Sequence, residues 1–187
     1  MAYSYLPLTP AIWDDFIALF GDHGVGGCWC MYWRITRKEF SNNHSVGNKR
    51  AMQSLVNSGF IPGIISYQDK RPIGWVSVAP REDFASLERS HTLNRVDDRP
   101  VWSIVCFYAP KKERGYLLRR LITQAVDFAA SHGASIIEAY PYSQARPGDG
   151  GEQYMGRVDA LIEEGFKIIE QRGSKVFMRK ELKRHIP

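Results

Sequence analysis

Three successive runs, GIISYQD (63–69), RPIGWVSVAP (71–80) and PVWSIVCFYAP (100–110), are rich in isoleucine, valine and aromatic residues. That composition predicts strands. The pattern then switches to helical spacing. Leu118, Leu121, Ile122, Ala125 and Ala129 form an apolar stripe, and Gly133 supplies its C-terminal stop. A further strand-like run, ASIIEAYPY (134–142), follows. A strand, a helix and a strand in that order predict a right-handed crossover between parallel neighbours. Asp69-Lys70-Arg71-Pro72, between the first two runs, reads as a hairpin turn. Parallel and antiparallel pairing must therefore share one sheet.

The flanking segments fit around this centre. Residues 3–8 read as a first strand. Thr9 and Pro10 then open a helix carried by Ile12, Trp13, Phe16, Ile17 and Phe20. Gly21 and the glycines from Gly24 to Gly27 end it. A second helical region runs from Thr36 to Val56, with a break near 42–47 and a stop at Gly59. A charged link occupies 81–99, and a glycine-rich loop 143–153. GRVDALIEEGF (156–166) reads as a short helix with Val158, Leu161 and Ile162 on one side. KIIEQRG and SKVFMRKEL read as two closing strands joined near Gly173. The expected architecture is of the α/β class: a twisted mixed sheet of about six or seven strands with helices on both faces. It forms one domain over 1–187, with an N-terminal strand and helices (1–60), a central sheet and helix (61–145), and a C-terminal helix and strand pair (146–187).

The net charge of +5 and a pI near 9.2 suit an anionic ligand. The charge is too dispersed to argue for nucleic acid. Lys180, Lys183, Arg184 and His185 read as a solvated end, and His44 and His91 as exposed residues in polar links. Three cysteines, Cys28, Cys30 and Cys106, have neither disulfide-framework nor zinc spacing. The N-terminus lacks a signal-peptide pattern, and no stretch approaches the ~20 apolar residues that span a bilayer. A cytoplasmic protein without metal or membrane contact is expected.

This order of elements, with the Arg-Gly turn after the third run and Gly165-Phe166 after the last helix, resembles the GCN5-related N-acetyltransferase (GNAT) superfamily over nearly the whole chain. A narrower likeness is to bacterial acetyltransferase-like proteins that carry GCWCMYW (27–33), then CFY (106–108), a basic turn (111–114) and EAYP (138–141). The resemblance implies transfer of an acetyl group from acetyl-CoA to an amine. It also implies that the fourth strand and its parallel neighbour diverge, leaving a gap for the pantetheine arm. Backbone groups of Cys106, Phe107 and Tyr108 would pair with that arm, as an added strand does. The turn and helix start at Lys111, Lys112, Arg114, Gly115, Tyr116, Leu117, Leu118 and Arg119 would face the phosphates. A CoA thioester and an amine acceptor are the implied partners. Superfamily members often pair, so a homodimer is a further expectation.

The superfamily's turn reads Arg or Gln, two residues, Gly, one residue, then Gly or Ala. From Pro110 without a gap this chain offers Glu113, Tyr116 and Leu118, and none matches. Shifted by one it offers Lys112, Gly115 and Leu117, a partial match that puts the expected helix stripe out of step. Lys111, Lys112, Arg114, Arg119 and Arg120 can instead hold phosphate through side chains. Two readings stand: an N-acetyltransferase with a degenerate pyrophosphate loop, or a catalytically impaired module of the same fold that binds acyl-CoA or senses a ligand. Glu138, in an otherwise apolar strand, is the candidate base, since burial would raise its pKa, or else a strand-end carboxylate paired with a surface Arg. The tyrosine that many superfamily members carry five residues before the Phe of Gly-Phe is Leu161 here. Tyr154 can replace it as general acid if its loop folds back, and Tyr140 and Tyr142 are further candidates. Cys106 reads as a small core residue rather than a nucleophile. Cys28, Trp29, Cys30 and Trp33, with Tyr140, are candidates for the wall of an acceptor pocket or for a core plug.

Overall fold

The computed structural model describes residues 2–144 and 152–182, the side chains of residues 114, 152 and 153 excepted. Seven strands form one sheet in the order β1-β2-β3-β4-β5-β7-β6. They are β1 (Tyr3–Pro7), β2 (Gly63–Gln68), β3 (Arg71–Pro80), β4 (Trp102–Tyr108), β5 (Ile136–Ala139), β6 (Lys167–Arg172) and β7 (Lys175–Glu181). Four longer helices accompany them: α1 (Trp13–Phe20), α2 (Arg37–Asn57), α3 (Arg114–Ser131) and α4 (Val158–Glu163).

The expected hairpin joins β2 and β3. Asp69 and Lys70 both have positive φ (48° and 69°), the backbone whose twist matches a two-residue antiparallel turn. β4 and β5 pair in parallel through α3, as the strand-helix-strand order predicts. β2 and β3 are buried along most of their length, which explains their near-continuous apolar sequence. Thr36 and Glu39 form a capping box that starts α2. His44, at φ 50° and ψ −166°, breaks that helix inside the expected interval.

Helices cover both faces. On one, α3 and α4 bury Leu117, Leu121, Ile122, Ala125 and Leu161 against Ile64, Val76, Ile104 and Ile137. On the other, α1 and α2 bury Phe16, Phe20, Met52 and Val56 against Ile65 and Trp75. The α3 stripe starts at Leu117 and not at Leu118, which is only half-buried. β5 is shorter than expected. Pro141 lacks an N–H, and the chain beyond Ala139 turns to β7, where Val176 N–H donates to Pro141 O (2.9 Å) and Ser143 N–H to Ser174 O (2.9 Å). Lys183, Arg184 and His185, and residues 145–151 of the glycine-rich loop, lie outside the described residues.

Candidate active site

β5 pairs with β4 only from Trp102 to Ile104, opposite Ile137 to Ala139, whereas β4 continues to Tyr108. Val105 is an extra residue against β3, since Ser77 pairs with Cys106 and Val78 with Ile104. Such a bulge bends a strand and increases its twist. The two parallel neighbours therefore diverge beyond Ile104, and β5 offers no backbone partner to Val105, Cys106, Phe107 or Tyr108. The turn Glu152–Met155 folds back against this part of β4. Gly156 (φ 93°) lets the chain pass close over the strand, because a methyl group there would sit 3.0 Å from the Phe107 ring. Met155 is fully buried. Tyr154 stands close enough to Tyr142, Cys106 and Cys28 to interact with them electrostatically. Burial first, then these neighbours, push its phenol well above the usual range, so it carries its proton at neutral pH.

Past the end of β4, Glu113 N–H donates to Pro110 O (2.8 Å), and a short turn at Lys111–Glu113 leads directly into α3. No side chain caps that helix start, the setting in which a helix N-terminus can take an anion. Lys111 and Lys112 are exposed beside it. Glu113, which would repel a phosphate, is held aside. Arg71 donates to Oε1 (3.0 Å) and the Tyr116 hydroxyl to Oε2. These bonds, Tyr116's first, keep its carboxyl below the ordinary range. Gly115 faces open space: a methyl group added there would meet no atom within 4 Å.

Leu117 is fully buried, so its side chain belongs to the core and not to a phosphate site. It fills the space over Gly74 on β3, where an added methyl would lie 2.4 Å from Leu117 Cδ2. With Leu117 inside, Lys112, Gly115 and Leu117 occupy the turn register in which the helix stripe stays in step. The small residue at this contact is Gly74, on the facing strand. Arg119 ion-pairs with Glu163. The side chain of Arg114 lies outside the described part of the chain.

The candidate base Glu138 is committed elsewhere. It is 3 % exposed, and its Oε1 accepts from Arg179 Nε (2.8 Å) and Nη2 (2.6 Å). Its Oε2 accepts from the Tyr140 hydroxyl (2.9 Å). Arg81, wholly buried, donates to that same hydroxyl (2.8 Å), which also bonds Ser103 Oγ (2.7 Å). Both carboxylate oxygens are thus occupied by donors, and the expected base role gives way to a buried ion-pair network. Tyr140 is fully buried within it.

Of the other expected pocket residues, only Cys28 keeps a partly exposed surface. Trp29 (1 %), Cys30 (5 %) and Trp33 (7 %) are core residues, because Trp29 and Cys30 pack with α1 and Trp75 and Trp33 with Phe84 and Phe177. A cleft of about 430 Å³ opens alongside this segment, lined by His23, Gly26, Gly27, Phe40, His44 and Asn48 among others. Gly74 carries a local signal, since an isolated glycine inside a strand pattern marks close approach. Arg34, Arg81 and Arg179 carry none, and no local pattern announces their burial. Among the described residues, no group of three or more His, Cys, Asp or Glu side chains is arranged to hold a metal ion. No helix among them is long and apolar enough to cross a membrane.

The sheet order, the parting of β4 from β5 and the uncapped helix between them define the GNAT acyltransferase fold, and solved structures bear this out. The chain superposes on PaiA N-acetyltransferase from Thermoplasma acidophilum in complex with coenzyme A at TM-score 0.55, with 12% identity over 97% of this chain and 100% of that one. It is similarly close to YncA, a putative acetyltransferase from Salmonella typhimurium with its cofactor acetyl-CoA (TM-score 0.55, 16% identity, 100% and 98% covered). A ribosomal-protein-alanine N-acetyltransferase from Brucella melitensis gives TM-score 0.54 at 14% identity, with 96% and 99% covered. No family model and no curated protein matches the sequence.

Proposed function

We propose that this chain is an acetyl-CoA-dependent N-acetyltransferase that acylates a primary amine of a small molecule or protein. The observation that carries this reading is the divergence of β4 from β5 directly before the uncapped start of α3. The free edge of Cys106, Phe107 and Tyr108 would pair with the pantetheine amides. The α3 N-terminus would hold the pyrophosphate, with Lys111 and Lys112 beside it. Gly115 would let the phosphates approach the backbone.

A neutral amine held beside the thioester attacks its carbonyl carbon directly, and placement supplies most of the rate. The thiolate leaves as the tetrahedral intermediate collapses, and Tyr154, which has folded back toward Cys106 and keeps its proton, would protonate it. With Glu138 engaged by Arg179, the amine's proton would pass to water. The cleft beside Gly26 and Gly27 would admit the acceptor. The free thiols fit a reducing, cytoplasmic setting. β6 is an outer strand with Ile168 and Ile169 exposed, a surface on which a second copy could pair.

Two measurements test this. Acetyl-CoA and desulfo-CoA should each raise the thermal midpoint by mass action, and an amine panel should release free thiol from acetyl-CoA. No shift at millimolar ligand would reject CoA binding. A shift without thiol release would make the protein a binding module, a reading that the cover of Tyr154 and Met155 over β4 would then explain. Gly115→Ala separates stability from binding. It should stabilise the free protein by up to about 1 kcal/mol, the helix-propensity gain. It should also weaken CoA about tenfold, or about 1.4 kcal/mol. Calorimetric titration showing unchanged affinity would remove the pyrophosphate from Gly115.

A further inference from the structure

The segment from Val25 to Cys30 is held in an unusual backbone. Val25 (φ 55°), Trp29 (φ 47°) and Cys30 (φ 59°) all lie in the left-handed region that favours glycine. Such a residue is strained and persists only where its surroundings over-determine it. They do so here. The Trp29 indole fills the space at Gly24, where a methyl would lie 2.1 Å from the ring, and its N–H donates to Ser45 Oγ (3.1 Å). Asn48 Nδ2 donates to Gly27 O (3.0 Å).

This backbone delivers the Cys30 thiol to β4. It accepts from Trp75 Nε1 (3.2 Å) and lies close enough to the Cys106 thiol and to Ser77 to interact with both, and Cys106, opposite Ser77 on β4, packs against the same cluster as Cys30. The buried guanidinium of Arg34 stands close enough to act on both sulfurs. Its Nη2 donates to Pro62 O (2.8 Å) and Ser77 Oγ (3.2 Å), its Nε has no partner, and it forms no carboxylate ion pair among the described residues. A buried cation beside two neighbouring thiols favours a thiolate on one of them.

We propose that Cys30 and Cys106 are a redox modification site, in which a peroxide converts the thiol pair to a disulfide. The Cys30 thiolate attacks one peroxide oxygen. An S–O bond forms, the O–O bond breaks, and the departing hydroxide takes a proton to become water. Cys106 then gives up its proton and attacks the Cys30 sulfur. The S–S bond forms as the S–O bond breaks, and a second water leaves. Two thiols are oxidised, one peroxide is reduced, and a dithiol reductant reverses the change. The division of labour follows the surroundings. The Cys106 thiol, and after it Arg34, Trp75 and Ser77, outweigh burial and bring the Cys30 thiol down to about 7. The Cys106 thiol is pushed well up, first by Cys30 and then by burial. Cys28 is pushed up to about 12, by burial first and then by Cys30, and stays a thiol. Cys30 is buried, and Cys106 beside it is partly exposed, the side from which a small peroxide would have to approach. The site does not depend on the acyl-transfer reading, because it is read out as a covalent bond.

The test uses the native full chain. It is treated with a small molar excess of hydrogen peroxide, alkylated after denaturation and analysed by mass spectrometry. Cys28 and Cys30 share one tryptic peptide, since Arg34 is the first Lys or Arg, so Cys28→Ser is run beside the natural protein. The expected result in both is a Cys30–Cys106 cross-link that dithiothreitol removes. Cys106→Ser should leave a dimedone-reactive sulfenic acid on Cys30. Free alkylation of Cys30 and Cys106 after peroxide, or a bond that engages Cys28, overturns the proposal. So does cross-linking that appears equally in urea-unfolded protein, because the folded arrangement would then contribute nothing.

Discussion

Arg179→Met is expected to lower folding stability by about 3–5 kcal/mol, because it strands a buried carboxylate. Glu138 is 3 % exposed and takes two hydrogen bonds from Arg179, which also binds Asp97 through Nη1 (2.6 Å) and Nη2 (3.1 Å). Without Arg179, Glu138 keeps the Tyr140 hydroxyl, while the nearest guanidinium, that of Arg81, lies 3.9 Å from Oε2. The expected loss is a large share of the ~5–15 kcal/mol by which domains are stable. The double variant Arg179→Met, Glu138→Leu should recover most of it, since an apolar pair of similar volume removes the unpaired charge. Asp97 loses its partner in both variants but is partly exposed and can turn to water. Urea unfolding measures all three proteins. A double variant no more stable than the single one would mean that the loss is packing around Arg179 and not a stranded charge.

The same residues show where a sequence is informative and where it stops. The β2–β3 hairpin and the parallel crossover through α3 were readable because turn residues and hydrophobic period are local. The length of β5 was not, since it depends on Pro141 turning to pair with Val176 far along the chain. Glu138 showed as an acid in an apolar run that could pair with a surface Arg, but which Arg, and that the pair is buried, did not show. Its partners Arg179 and Arg81 lie 41 residues after it and on the link preceding β4, and neither carries a local mark of burial. The dense aromatic and cysteine segment was visible, but its left-handed backbone was not, because Val25, Trp29 and Cys30 are not glycines. The divergence of β4 from β5 was expected from the resemblance alone. The bulge at Val105 that accompanies it has no sequence signal of its own.

The α3 stripe holds Leu121, Ile122, Ala125 and Ala129 as expected but begins at Leu117 and not Leu118, for a physical reason that can be tested. Gly74→Ala should cost about 1–3 kcal/mol, the usual penalty of overpacking. Its methyl would lie 2.4 Å from Leu117 Cδ2 and 2.8 Å from Ser66 Oγ, and Leu117 is fully buried with no free side to turn to. Leu117→Ala alone should cost about 2–5 kcal/mol by leaving a cavity. Together the two changes should cost clearly less than their sum, with a coupling of about 1 kcal/mol or more, because the new methyl enters the space the leucine vacates. The double variant would also return a small residue to the place in the turn where the superfamily's pattern has glycine or alanine. If Gly74 and Leu117 are one steric unit that seats the start of α3 on the sheet, Gly74→Ala should weaken acetyl-CoA binding and the double variant should restore it. Additivity within about 0.5 kcal/mol in urea unfolding would show that the two positions do not share space, and the turn register drawn from their contact would fall with it.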